Sequence, residues 1–179
     1  PKDALLELIA KDAPTALHHH SLLKISNDQR KKLQREVVTS ARGLLEQEMT
    51  GNEQTISITY HPEWHEGVIG IVASKLVDAF KLPAIVLTDS SEQGVIKGSA
   101  RSAGELDLFA TLSKCSDLFI KFGGHKKAAG LSMKKENLSA FKQKMHEQLK
   151  EIPYSLRSVQ ESHDMEINFS DIGPKLVKD

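Results

Sequence analysis

Two short runs of this sequence combine residues that could hold a phosphate. In Gly123-Gly124-His125-Lys126-Lys127-Ala128-Ala129-Gly130, glycines leave backbone N–H groups uncovered and let the main chain approach a ligand, while His125, Lys126 and Lys127 supply donors and positive charge. In Lys97-Gly98-Ser99-Ala100-Arg101-Ser102, a period of two puts Ser99 and Arg101 on one side of a strand, where a hydroxyl and a guanidinium suit a phosphate. Each run also has a plainer reading: a glycine-rich tight turn with solvated lysines, and an edge strand with an ordinary surface arginine. Trp64-His65-Glu66-Gly67 stands just before a helix, whose N-terminal N–H groups favour an anion; Trp64 either stacks on a base or closes the core. His18-His19-His20 points three rings about 100° apart on a helix, so they cannot converge on one metal ion, and a solvated patch is the better reading.

These residues need elements to position them. Residues 3 to 24 read as one or two short helices separated at Pro14. A longer helix is expected from the Ser26-Asn27-Asp28-Gln29 capping box, with Leu33, Val37, Ala41, Leu44 and Leu45 on its apolar stripe, ending near Gly51-Asn52. Thr55 to Tyr60 alternates and is β-branched, so it predicts a strand; a loop follows through Pro62 to Gly67. Val68, Ile71, Val72, Leu76 and Phe80 mark a helix, and Pro83 to Thr88 a second strand. Strand, helix, strand makes a βαβ unit with a parallel pair. Val95 to Arg101 is a third strand, Leu106 to Leu112 a short helix, and Asn137 the N-cap of a helix carrying Leu138, Phe141, Met145 and Leu149. Residues 154 to 162 read as a linker, and Met165 to Phe169 as the first strand of a following segment. The expected fold is therefore α/β, a mixed sheet with flanking helices.

Composition narrows the function. The 179 residues carry 24 Lys+Arg against 24 Asp+Glu, so electrostatic binding must come from local arrangement rather than from the total. Residues 94 to 135 hold eight Lys+Arg and three acids, and both phosphate candidates lie in that stretch. No apolar run approaches the ~18 residues of a membrane span, and no signal layout opens the chain, so a cytoplasmic protein is expected. A single Cys115 excludes an internal disulfide and a cysteine-built zinc site. The lack of an initiator Met reads as a piece cut from a longer protein.

Four segments in order, Trp64 to Leu76, Pro83 to Leu87, Lys97 to Ser102 and Phe122 to Gly130, closely resemble the RecJ family of bacterial single-strand-specific exonucleases in the DHH superfamily. The match covers roughly residues 50 to 150 and looks like the DHH-associated domain of that family. The resemblance implies a nucleic-acid-binding domain over 51–153, preceded by a connector helix at 26–50 and by the tail of a missing catalytic domain at 1–25. Residues 154–179 would be a linker and the first strand of a truncated oligonucleotide-binding fold.

It further implies 5′-to-3′ degradation of single-stranded DNA in recombination and repair. The missing catalytic domain would pack against this chain and hold two Mn²⁺ or Mg²⁺ ions with an Asp-His-His motif and other aspartates. Leu17-His18-His19-His20 is not that motif, because Leu replaces the Asp. No catalytic residue, metal or cofactor is expected in this chain, which alone should lack nuclease activity; its partner is single-stranded DNA, and its state a monomer. Carried over residue by residue, Ser99 and Arg101 look like the group holding the 5′-end phosphate. Gly123, Gly124 and His125 look like the loop that contacts the nucleotide near the scissile bond, with Lys127 and His65 as further members. The alternatives are a phosphodiesterase or oligoribonuclease of the same superfamily and a tRNA-binding accessory domain.

Overall fold

Asp12 starts the long helix: its carboxylate accepts hydrogen bonds from the Thr15 backbone N–H at 2.8 Å and the Thr15 hydroxyl at 2.9 Å. Those bonds hold the Asp12 carboxyl below its usual range. The computed structural model describes residues 2–48, 54–160, 166–169 and 172–173. Helix α1 spans Lys2–Leu8 and α2 spans Ala13–Glu48, with Pro14 in the first turn, where backbone N–H groups have no helical acceptor anyway.

The helix start expected at Ser26 is absent, because α2 runs unbroken through it and through the boundary placed after residue 25. Asn27 accepts instead from the Arg30 guanidinium one turn on, at 2.9 Å. The buried stripe of α2 is Val37, Ala41 and Leu45, at a spacing of four.

The βαβ unit forms as the alternation predicts. Strand β1 is Ser57–Tyr60, helix α3 Glu66–Phe80 and strand β2 Ala84–Asp89, with β1 and β2 parallel and Ser57 opposite Ala84. Strand β3, Val95–Arg101, lies antiparallel to β2. The glycine-rich run, whose sequence reads as a phosphate cradle or a tight turn, is a hairpin: β4 is Phe119–His125 and β5 Ala128–Lys134, joined by Lys126-Lys127. The sheet order is β1-β2-β3-β5-β4, mixed as expected.

Each face of the sheet carries its own core. On one, Ile85, Leu87, Ile96, Leu131 and Met133 pack against α4, Leu108–Ser113, and α5, Leu138–Lys150, through Leu112, Phe141, Met145 and Leu149. On the other, Val72, Ala73 and Leu76 of α3 sit between Ala84 and Val86 of the sheet and the buried stripe of α2. Trp64 belongs to this second core: it is 7% exposed, its ring stacks on His61 at 5.5 Å, and its carbonyl accepts from the Thr88 hydroxyl at 2.6 Å. It packs rather than offering a free face to a base.

Three other segments depart from what their residue pattern predicts. Asn137 stands at the N-cap of α5 but does not cap it; its amide donates to the Leu118 carbonyl at 3.1 Å. Residues 154 to 160 are no free linker, because Tyr154–Arg157 forms a short helix, α6, whose Arg157 is 4% exposed and donates to the Ile152 carbonyl at 3.1 Å. Of the strand expected over 165–169, Met165 lies outside the described residues, and 166–169 contain no strand. No helix among the described residues is long and apolar enough to cross a membrane.

Candidate nucleic-acid interface

Strand alternation along β3 turns Ile96 and Ala100 into the α4/α5 core and leaves Lys97, Ser99 and Arg101 on the α3 side, each only partly buried. Helix α3 lies over β2 and β3 but not over β5 and β4, so the floor beyond it is open. The register brings three rows across this floor. Arg101 faces Ala128, which faces His125; Ser99 faces Gly130, which faces Gly123; Lys97 faces Ser132, which faces Lys121. The groove so formed has a volume of about 680 Å³ and is bounded on the helix side by Glu66, Gly67 and Gly70.

The middle row is nearly bare. A Cβ added at Gly123 would meet nothing within 4 Å, and at Gly130 only the Gly98 carbonyl at 3.9 Å, so neither glycine is demanded by packing. Gly124 is different: its φ of +155° and a Cβ position 2.3 Å from the Ala128 carbonyl exclude any side chain. Bare backbone at Gly123 and Gly130 leaves that stretch of the sheet surface uncovered by side chains.

Arg101 is braced before any ligand arrives. Its Nη1 donates to the Ser99 hydroxyl at 3.1 Å and to the Ala100 carbonyl at 2.9 Å. Gly70 of α3 makes room for both, since a Cβ there would lie 3.0 Å from Arg101 Nη2 and 3.1 Å from Ser99 Oγ. Farther along, Lys97 pairs with Glu66 at 2.8 Å, and that hydrogen bond holds the Glu66 carboxyl below its usual range.

The groove thus unites Ser99, Arg101 and Gly123 of the expected site residues. His125 ends the same face of β4; its Nδ1 lies 3.2 Å from the Ala128 N–H, from which a neutral ring accepts, and 3.1 Å from the Ala128 carbonyl. Lys127 is drawn away to the Gly104 carbonyl and to Glu105, at 3.7 Å from its carboxylate, while Lys126 reaches the same carboxylate at 3.1 Å. Both ammonium groups hold the Glu105 carboxyl below its usual range, Lys126 foremost through its hydrogen bond. The turn is also tied by its backbone, with Lys127 O accepting from Ser102 N at 2.9 Å and Lys126 O from Leu108 N at 3.0 Å. His65 caps α3, its Nδ1 accepting from Gly67 N at 3.0 Å, and does not line the groove.

Lys121, Ser132, Gly70 and Glu66 were not expected in the site. The period of two in 121/123/125 and 128/130/132 was the available signal, hidden because glycines carry no hydrophobic pattern. The triple histidine is no convergent cluster: His18 and His19 rings meet edge to face at 5.4 Å, and His20 turns to Glu7 at 3.0 Å. Among the described residues no group of three or more His, Cys, Asp or Glu could hold a metal ion. The groove's donors are ammonium, guanidinium and hydroxyl groups, which fit an anion rather than Mg²⁺ or Mn²⁺.

Residues 53–151 match the DHHA1 domain family. The chain is 42% identical over 121 residues to the single-stranded-DNA-specific exonuclease RecJ of Bacillus subtilis, covering 68% of this chain and 15% of that protein. It is 34% identical over 144 residues to RecJ of Dickeya dadantii, covering 76% and 25%. Among solved structures, RecJ in complex with Mg²⁺ from Thermus thermophilus superposes with a TM-score of 0.75 at 30% identity, over 90% of this chain and 24% of that one. Exonuclease RecJ bound to manganese gives 0.71 at 32% identity, over 85% and 37%. The chain therefore spans a quarter or less of the length of these two curated relatives. With the family match covering more than half of its residues, and the sheet and long helix shared with those structures, the chain belongs to the DHHA1 domain family, in the form that RecJ exonucleases carry.

Proposed function

We propose that the groove grips single-stranded DNA for a metal-dependent 5′-to-3′ exonuclease of which this chain is one part. The 5′ phosphate lies against Ser99 and Arg101, and the nucleotide near the scissile bond crosses Gly123, Gly124 and His125. The observation that carries the reading is the pairing of a braced guanidinium and hydroxyl with a bare glycine floor in adjacent cross-strand rows. With Nη1 occupied by Ser99 and Ala100, the planar Arg101 side chain keeps its remaining donors for phosphate oxygens.

In this reading residues 51–153 form the nucleic-acid-binding unit, 26–50 join it to the catalytic domain to which 1–25 belong, and 154–179 lead onward. The Mn²⁺ or Mg²⁺ ions sit in that preceding domain, where they would activate water at the scissile phosphate. This chain supplies grip and orientation, hydrolyses nothing alone, and works as a monomer in the cytoplasm during recombination and repair. Lys127 and His65 act from the margins, through the hairpin turn and the α3 cap.

The test is Arg101→Ala in the intact enzyme. Activity on 5′-phosphorylated single strands should fall more than on 5′-hydroxyl strands, and the slope of log K against log salt should shrink by about 0.7 for one lost phosphate contact. An unchanged rate and slope would remove Arg101 from the site, and preferred binding of tRNA would replace the reading altogether.

A further inference from the structure

The end of the groove away from Arg101 carries its own set of donors. Lys97 from β3, Ser132 from β5 and Lys121 from β4 stand opposite one another in a single cross-strand row, and all three line the groove. Lysine on an edge strand such as β4 is often only a guard against unwanted pairing. That does not account for Lys97, which is on β3 with a paired strand on either side. Nor is the row fully neutralised among the described residues: Lys97 has Glu66 as its partner, while Lys121 makes no ion pair there.

We infer that Lys97, Lys121 and Ser132 form a second phosphate subsite, which takes a backbone phosphate farther along the same strand whose 5′ phosphate rests on Ser99 and Arg101. The inference depends on the function proposed above and adds a direction to it. Side chains two residues apart on β3 are separated by about 6.7 Å, so the Lys97 row lies about 13 Å from the Arg101 row. The Ser99, Gly130 and Gly123 row between them offers no bulk above the sheet, and a sugar-phosphate backbone can run along the groove over it. Glu66 is the built-in competitor: its carboxylate holds Lys97 at 2.8 Å with both side chains about half exposed, 43% for Lys97 and 56% for Glu66. An arriving phosphate takes over the ammonium, and Glu66 returns to water at little cost because it never left it.

The test uses the 179-residue chain, with amide chemical-shift titrations that read weak binding. One probe is thymidine 5′-monophosphate, which reaches only the Arg101 end; the other is a short 5′-phosphorylated oligo(dT), which spans both. The double variant Lys97→Gln/Lys121→Gln should bind oligo(dT) about tenfold more weakly, with a salt slope smaller by about 0.7, and bind the mononucleotide as before. Glu66→Gln should strengthen oligo(dT) binding alone, a change opposite in sign to that of a merely damaged fold. Lys114→Gln, on α4's side of the sheet, should alter neither probe.

If Arg101→Ala weakens both probes while the double variant and Glu66→Gln change neither, the second subsite is wrong and the grip at Arg101 stands. If Arg101→Ala leaves both probes unchanged, or the unmodified chain shifts with neither, the underlying function fails and the subsite with it.

Discussion

The two faces of the sheet are built by opposite rules. On the α4/α5 side, every strand contributes apolar residues to a sealed layer that includes Phe141, Met145, Leu149 and the thiol of Cys115. Burial of Cys115 pushes that thiol up from its usual value, so it is an inert filler rather than a nucleophile. On the α3 side, the helix covers half the sheet and stops, and the uncovered half is floored with glycine and edged with cations. The difference separates a sealed core from an open, cation-edged groove within one sheet, with successive residues of β3 assigned to each in turn.

The sharpest way to break this division is a large cavity on the sealed face. Phe141→Ala removes a fully buried ring that also meets Phe119 edge to face at 5.5 Å. It should cost about 3–5 kcal/mol in denaturant titrations, with the groove's affinity per folded molecule retained.

The neighbouring glycines of β4 divide along the same line. Gly124→Ala forces a side chain into the Ala128 backbone at positive φ and should cost about 1–3 kcal/mol. Gly123→Ala places a methyl group in open groove, so stability should stay within about 0.5 kcal/mol while single-strand binding weakens. Equal stability losses at the two positions would mean that the floor is bare for structural reasons.

The smallest effect concerns pH. His146, on α5 beneath the sheet, bonds to the Thr55 hydroxyl at 2.8 Å. Burial first, then Lys142 and Lys150, holds its pKa below the ordinary 6.5, against a small opposing pull from Glu48. The unfolded chain thus binds the proton more readily. The contribution of His146 is complete above the ordinary value and is lost as pH falls through it toward the folded one. Thermal midpoints should decline between about pH 7.5 and 5.5, and His146→Gln should flatten that decline.

Most of the fold could be read from residue order. β-Branched alternation located β1, short apolar runs bounded by turn residues located β2 and β3, and a spacing of three and four located α3 and α5. Two local signals misled because tertiary context outweighed them. Ser26-Asn27-Asp28 looks like a helix start, yet polar residues are tolerated inside a solvated helix when a turn neighbour such as Arg30 binds them. The β4–β5 hairpin was hidden because its glycines carry no alternation to count. Within the groove, the shared face of Ser99 and Arg101 is legible from period two, whereas a phosphate-holding role for them rests on the family resemblance. The positions of Lys127 and of the Lys121 row depend on Glu105 and on strand register, which are long-range facts.

The Lys126-Lys127 turn, tied by its two carbonyls to the chain at Ser102 and Leu108, has a mechanical consequence. The end of β3 and the tip of the hairpin behave as one casting, so the gauge between Arg101 and His125 is set before anything binds. If the groove takes single-stranded DNA as proposed, a flexible strand adjusts its torsions to that gauge and carries the ordering entropy itself. On that proposed function a duplex, with its backbone path already dictated by its partner strand, has no such freedom and would have to match the fixed walls.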